Sequence, residues 1–148
     1  MMNVSRMTGF AAALAMSMAG VTTASAQDAA AEFSLELNNA AETSAGDCRL
    51  TFVASNGLGQ DLGDIAYEVA VFDGSGIVSR ILVLELGSLT EGKTKVLQFD
   101  LAGQPCSNTS RIIVNAVAAC TLADGTVAGD LCLSGLAAGS RGAIQFGI

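Results

Sequence analysis

Four cysteines, Cys48, Cys106, Cys120 and Cys132, stand 58, 14 and 12 positions apart in a chain that contains no histidine. A zinc site would want C-x₂₋₄-C pairs, and these spacings supply none. An even number of cysteines in an exported chain reads instead as two disulfides, because thiols oxidise outside the cytoplasm. A small β domain closed by cross-links is then the expectation, provided that the chain is exported.

The amino terminus carries that information. Arg6 is followed by the apolar, helix-prone stretch Gly9 to Val21, and then by Ala24-Ser25-Ala26. A positive start, an apolar middle and a small-x-small triplet make a signal peptide over residues 1–26, with cleavage before Gln27. The apolar stretch falls short of the roughly 20 residues that a membrane-crossing helix needs. No second long apolar run follows, so the expectation is a periplasmic or secreted protein with no membrane span after cleavage. A cysteine at the cleavage point and an Arg-Arg pair are both lacking, which argues against a lipid anchor and favours the general secretory route.

The mature part, residues 27–148, is long enough for one domain. Its formal charge is −8, because Arg6 leaves and the whole chain carries 7 basic and 14 acidic residues. An acidic surface without a basic cluster repels phosphates, which argues against nucleic acid and against anionic lipid as partners.

Residues 27–31 read as a flexible tail, and residues 32–148 as a single domain of short β segments separated by Gly, Asn and Asp. Phe33, Leu35 and Leu37 alternate with polar neighbours, as do Leu50, Phe52 and Ala54, and the set Ile65, Tyr67, Val69 and Val71. Period-2 alternation marks strands with one buried face. Asn38 to Asp47 and Asn56 to Asp64 read as loops. Asp73-Gly74-Ser75-Gly76 lies between two apolar runs, and Asp-Gly supplies the positive φ of a tight hairpin, so strands over 64–73 and 77–86 should follow one another. Leu97, Phe99 and Leu101 alternate in a further strand. Arg111 to Ala119 is nearly all apolar, as a central strand buried on both faces would be. Leu122 to Gly129 reads as loop, Leu131 to Ala138 as a short helix or a poor strand, and Ala143 to Phe146 as a final edge strand. This pattern predicts an all-β, immunoglobulin-like Greek-key sandwich of about six or seven strands, stabilised by disulfides.

Cysteine pairing follows from that order. Cys106 and Cys120 flank one strand, whose ten steps span about 33 Å, whereas a disulfide holds its Cα atoms about 5–6 Å apart. Two pairings remain. The topology favours Cys48–Cys106 with Cys120–Cys132, since Cys48 opens the second strand and Cys106 just precedes the sixth, at the same end of a Greek-key sandwich.

Chemistry is harder to find. Without histidine the chain lacks the commonest general base, most hydrolase triads and His–metal sites. Lys93 and Lys95 sit in a turn and a strand start, where a solvated surface is the plainer reading than a Ser/Lys dyad. Glu36, Glu68, Glu85 and Asp100 alternate outward, while Asp61, Asp64, Asp73, Asp124 and Asp130 stand in turns. One tyrosine and no tryptophan leave little from which to build a sugar platform. The oxygens of Asp73 to Gly76 and of Gln60 to Asp64 suit a hard cation in type but not in spacing. Asn108-Thr109-Ser110 fits a glycosylation sequon, yet a turn is the simpler role. Gly57-Leu58-Gly59 opens no helix and so makes no phosphate loop. Arg111 and Arg141 are lone charges beside apolar stretches, placed to pair with carboxylates at the sandwich rim. No catalytic, cofactor-binding or metal-ligating residue is expected.

The run Cys48-Arg49-Leu50-Thr51-Phe52, with Asn56-Gly57-Leu58-Gly59, Phe72-Asp73, Gly76, Gln98-Phe99-Asp100-Leu101, Cys106, Arg111 to Asn115, Cys120, Cys132 and Ser140-Arg141, resembles a group of small exported bacterial proteins named for a twin-arginine signal domain. That resemblance implies export and no particular activity; the single Arg6 departs from the group's name. More loosely, Phe72-Asp73-x-x-Gly76 with Gly92-Lys93-Thr94 is similar to FxLYD-type immunoglobulin-like modules, which implies fold alone. The expectation for function is a non-enzymatic periplasmic binding or accessory domain with a protein partner in the cell envelope, acting through a loop end or a strand edge. The alternative is a structural or assembly subunit of an envelope complex.

Overall fold

In the computed structural model, which describes residues 31–148, the alternating segments become eight strands in two stacked sheets. The strands are β1 (Phe33–Glu42), β2 (Cys48–Asn56), β3 (Leu62–Phe72), β4 (Val78–Glu85), β5 (Thr94–Leu101), β6 (Arg111–Leu122), β7 (Leu136–Ser140) and β8 (Gln145–Gly147). A single 3₁₀ turn covers Cys106–Asn108, and a helix, α1, covers Gly129–Ser134. One sheet has the order β5-β2-β1-β7 and the other β4-β3-β6-β8. This is an immunoglobulin-like β-sandwich. The signal segment 1–26 and residues 27–30 of the tail lie outside the described residues.

Each inner face is the apolar phase of an alternation. Phe33, Leu35, Leu37, Leu50, Phe52 and Ala54 line the first sheet, and Ile65, Tyr67, Val69, Val71, Ile112 and Val114 line the second. Burying one such large side chain stabilises by roughly 1.5–3 kcal/mol, so these two facing sets supply most of the driving force. Phe52 ties the layers together, meeting Phe146 edge-on with ring centroids 5.1 Å apart and Phe99 at 6.0 Å.

Several expectations need correction. The described residues form eight strands, because the tail holds a helix and two strands, of which β8 pairs parallel with β6 and β7 pairs parallel with β1. The loop expected from Asn38 begins only after Glu42: a register slip between Leu37 and Asn39 absorbs one residue and lets β1 continue along β2. The hairpin turn at Asp73 is real, but Gly76, not Gly74, carries the positive φ, at 79°. Gly76 N–H donates to the Asp73 carbonyl, and Asp73 N–H to the Ile77 carbonyl. That is a three-residue loop with its left-handed residue last. The Asp73 carboxylate accepts the Ser75 and Ile77 amides and locks the turn. Finally, β6 is not buried on both faces. Asn115 and Ala118 are exposed, because among the described residues no layer covers the outer side of its sheet.

Candidate binding surface

Two polar hubs and two cross-links fix the sandwich ends. Cys48, first residue of β2, is joined to Cys106 in the 3₁₀ turn with Cα atoms 4.6 Å apart. Cys120, near the end of β6, is joined to Cys132 in α1 with Cα atoms 6.2 Å apart. Beside the first bridge the buried Gln104 side chain donates to the Asn108 carbonyl and to Thr109 Oγ1, and accepts from Ser79 Oγ at 2.9 Å. At the opposite end the buried Asn56 amide donates to the carbonyls of Gln60 and Leu89 and accepts Leu58 N–H. Nothing in the local sequence marks Gln104 as buried; only the tertiary fold brings Ser79 and Thr109 to it.

The remaining polar residues are scattered, and most are engaged. Asp100 forms a two-pronged pair with Arg49 at 2.7 and 2.8 Å, which holds its carboxyl below the usual range. Glu36 accepts from Arg141 at 2.7 Å and from Asn38, and its pKa is lowered likewise. Asp124 is lowered by hydrogen bonds from Thr126. Asp61 caps the Glu91 amide, and Glu68 accepts from Asn115. Lys95 donates to the Leu86 and Ser88 carbonyls. Asn108 uses its side-chain oxygen to hold Gly74 N–H. Of the two lone arginines, Arg141 meets Glu36, and Arg111 lies over the Phe72 ring at 4.0 Å instead of meeting a carboxylate. Among the described residues, no three His, Cys, Asp or Glu side chains gather as metal ligands would.

What the fold does gather is apolar surface along β4. This strand is apolar in both phases. Leu82 and Leu84 turn toward the core, and Ile81 and Val83 turn outward, 58% and 46% exposed. Val78 and the turn residue Ile77 extend the stripe at 46% and 66%. The register carries it across the outer face of the sheet: Val78 pairs with Phe72, Ile81 with Ala70, and Ala70 with Ile113. Among the described residues β4 is also the end strand of its sheet, so one row of its backbone donors and acceptors has no described strand beside it. Edge strands are usually blunted by charge, proline or a bulge. β4 carries Arg80 and Glu85, no proline, and one register slip near its start, at Ser79. The signal was present in the sequence as Ile81-Leu82-Val83-Leu84: an end strand cannot bury both phases, so one of them must face out.

The fold is similar to that of IrmA from Escherichia coli, with a TM-score of 0.54 and 12% identity over 73% of this chain and 91% of that one. At that identity the likeness shows the fold alone. No protein-family model matches the chain, and no curated protein matches it in sequence.

Proposed function

We propose that the mature chain is a non-enzymatic, extracytoplasmic binding domain that receives a protein partner on β4. The observation that carries this reading is the unpaired edge of β4 with Ile81 and Val83 beside it on the outer face. A partner strand added there satisfies the free backbone groups, while its side chains cover the stripe from Val83 to Val78. Large exposed apolar patches on soluble proteins mark interaction sites. Two disulfides suit an oxidising compartment outside the cytoplasm, and the resemblance to small exported bacterial proteins points the same way. A chain without histidine, with its Lys95 amine held by two carbonyls, offers little to general acid–base catalysis.

A second reading, assembly with another copy, is favoured by one feature of β4. Antiparallel pairing of two β4 strands about Leu82 sets Ile81 of each copy opposite Val83 of the other, both on the outer face, so the stripe is self-complementary. Light scattering of the purified mature protein separates the two readings: a monomer supports the heterologous partner, and a dimer lost in Ile81→Glu supports self-pairing. Capture from envelope extract, read by mass spectrometry, then compares wild type with Ile81→Glu and with Val83→Lys. A partner retained equally by all three proteins refutes β4 as the site.

A further inference from the structure

We propose a second, separate binding site: the open stretch of β6 between Val114 and Ala119 takes an extended, small-to-apolar peptide segment that carries a basic residue. β8 pairs with β6 only over Arg111 to Ile113. At the other end the Thr121–Val127 bridge and the Ala128 N–H bond to the Cys120 carbonyl close the same edge. Between them, among the described residues, no backbone group pairs with that side of β6. The gap is six residues, about 20 Å of strand. Its neighbours are strands or bridged loop on either end, so an added segment would fill a notch in the sheet and not merely extend a rim.

The notch has a shaped floor. A cleft of about 270 Å³ opens along it, lined by Val117, Ala118, Ala119, Val127 and Gly129 among others. That is smaller than the roughly 300–1,000 Å³ of drug-sized ligand sites, and it suits one or two short side chains better than a cofactor. Val127 stands at the mouth, 81% exposed. Register slips at Asn115 and Ala118 put two bulges in β6 just here, where pairing with β3 is already irregular. Bulges recur where a strand is re-aimed toward a site.

Charge selects the occupant. From Ile112 to Ser140 the chain has no Lys or Arg, while Asp124 and Asp130 bracket the lining residues Val127 and Gly129. Both carboxylates are on exposed residues, so a basic group at that end of the bound segment is matched in charge by the loop and helix that follow β6. Backbone complementarity requires an extended chain, the floor requires small apolar side chains, and the rim requires a basic end.

The test uses the intact, oxidised mature protein, ¹⁵N-labelled, and a blocked synthetic heptapeptide of sequence Lys-Val-Thr-Val-Thr-Val-Lys. Saturable shifts at the amides of Asn115 to Ala119 and Val127, with slowed amide exchange there, are expected. Methylating alternate peptide nitrogens, or replacing both lysines by glutamate, should weaken binding at least tenfold, as should Asp130→Lys to a smaller degree of about threefold. Because the two main controls alter the peptide, they are independent of whether a variant folds. Shifts on Ile81 and Val83 in place of β6, equal binding of the methylated or acidic peptide, absence of shifts at millimolar peptide, or filling of the notch by a second copy of the chain would each overturn the proposal.

Discussion

The hydroxyl of Tyr67, at the centre of β3, donates a 2.9 Å hydrogen bond to the carbonyl oxygen of Cys132 in α1. The ring is fully buried and packs against Phe33 with centroids 6.2 Å apart, and burial alone pushes the phenol pKa up. Cys132 is in turn bonded to Cys120 on β6. A six-residue helix has too few internal bonds to stand by itself, so α1 is held by a covalent tether on one side and a phenol on the other. Tyr67→Phe keeps the ring and removes the donor, leaving the Cys132 carbonyl unpaired. The expected loss is about 1–3 kcal/mol, read from urea unfolding of the oxidised protein. A loss below a few tenths would show that water replaces the phenol and that the contact is incidental.

The two disulfides should not be equivalent. Cys48–Cys106 closes 58 residues and Cys120–Cys132 closes 12. On the loop-entropy scale these correspond to about 4 and about 3 kcal/mol. The long bridge also anchors the turn beside Gln104, whereas the short one clamps α1 at the edge of the sheet. The double alanine variant of Cys48 and Cys106 is therefore expected to unfold at lower denaturant than that of Cys120 and Cys132. The reverse order would mean that α1, not the Gln104 end, governs the cooperative core.

Gly63 sits where β3 slips register against β6, and a Cβ built there would lie 2.7 Å from the Leu122 carbonyl oxygen. Backbone on the facing strand cannot swing away as a flexible side chain would, so Gly63→Ala must push the strands apart. A loss of about 1–3 kcal/mol is expected. Gly142→Ala is the matched control, since nothing lies within 4 Å of the added carbon, and a change within about 0.5 kcal/mol is expected there. An equal loss at both positions would show that the close approach to Leu122 is not its cause, since restricting the unfolded chain by a Gly→Ala change stabilises instead.

The layered core was legible because it rests on a local signal: the inward sets from Phe33 to Leu37 and from Ile65 to Val71 alternate, and alternation needs no knowledge of the partner strand. The tail was ambiguous for the same reason. Leu131 to Ala138 divides into the end of α1 and the start of β7 around Gly135, whose hypothetical Cβ would lie 2.6 Å from Leu58 and 2.9 Å from the Leu131 carbonyl; only the fold brings Leu58 there. Gly74 drew notice through the Asp-Gly pair, yet the hydrogen bond from Gly76 N–H to Asp73 decides which glycine turns left-handed. The stripe on β4 was harder still. Ile81 and Val83 look like core residues until the strand order makes β4 an edge, and strand order is a property of long-range pairing.

Acid should loosen the sandwich through three surface carboxyls. Arg141 and Asn38 lower Glu36, Arg49 lowers Asp100, and Thr126 lowers Asp124, from ordinary values of 4.5, 3.8 and 3.8. A carboxyl that binds its proton more weakly in the folded state stabilises the fold above its unfolded pKa, and that stabilisation is lost as pH falls through the folded value. The window therefore opens near pH 4 and extends below it. All three groups are at the surface, so each effect is small and shrinks with salt. Glu36 matters most for architecture, because its partner Arg141 follows β7 and its own strand β1 is the neighbour of β7. Thermal melts between pH 7 and pH 2 should fall below pH 4 for wild type, and Glu36→Gln should start lower at neutral pH and fall less steeply. Parallel curves for the two proteins would mean that the Glu36–Arg141 pair is not linked to folding.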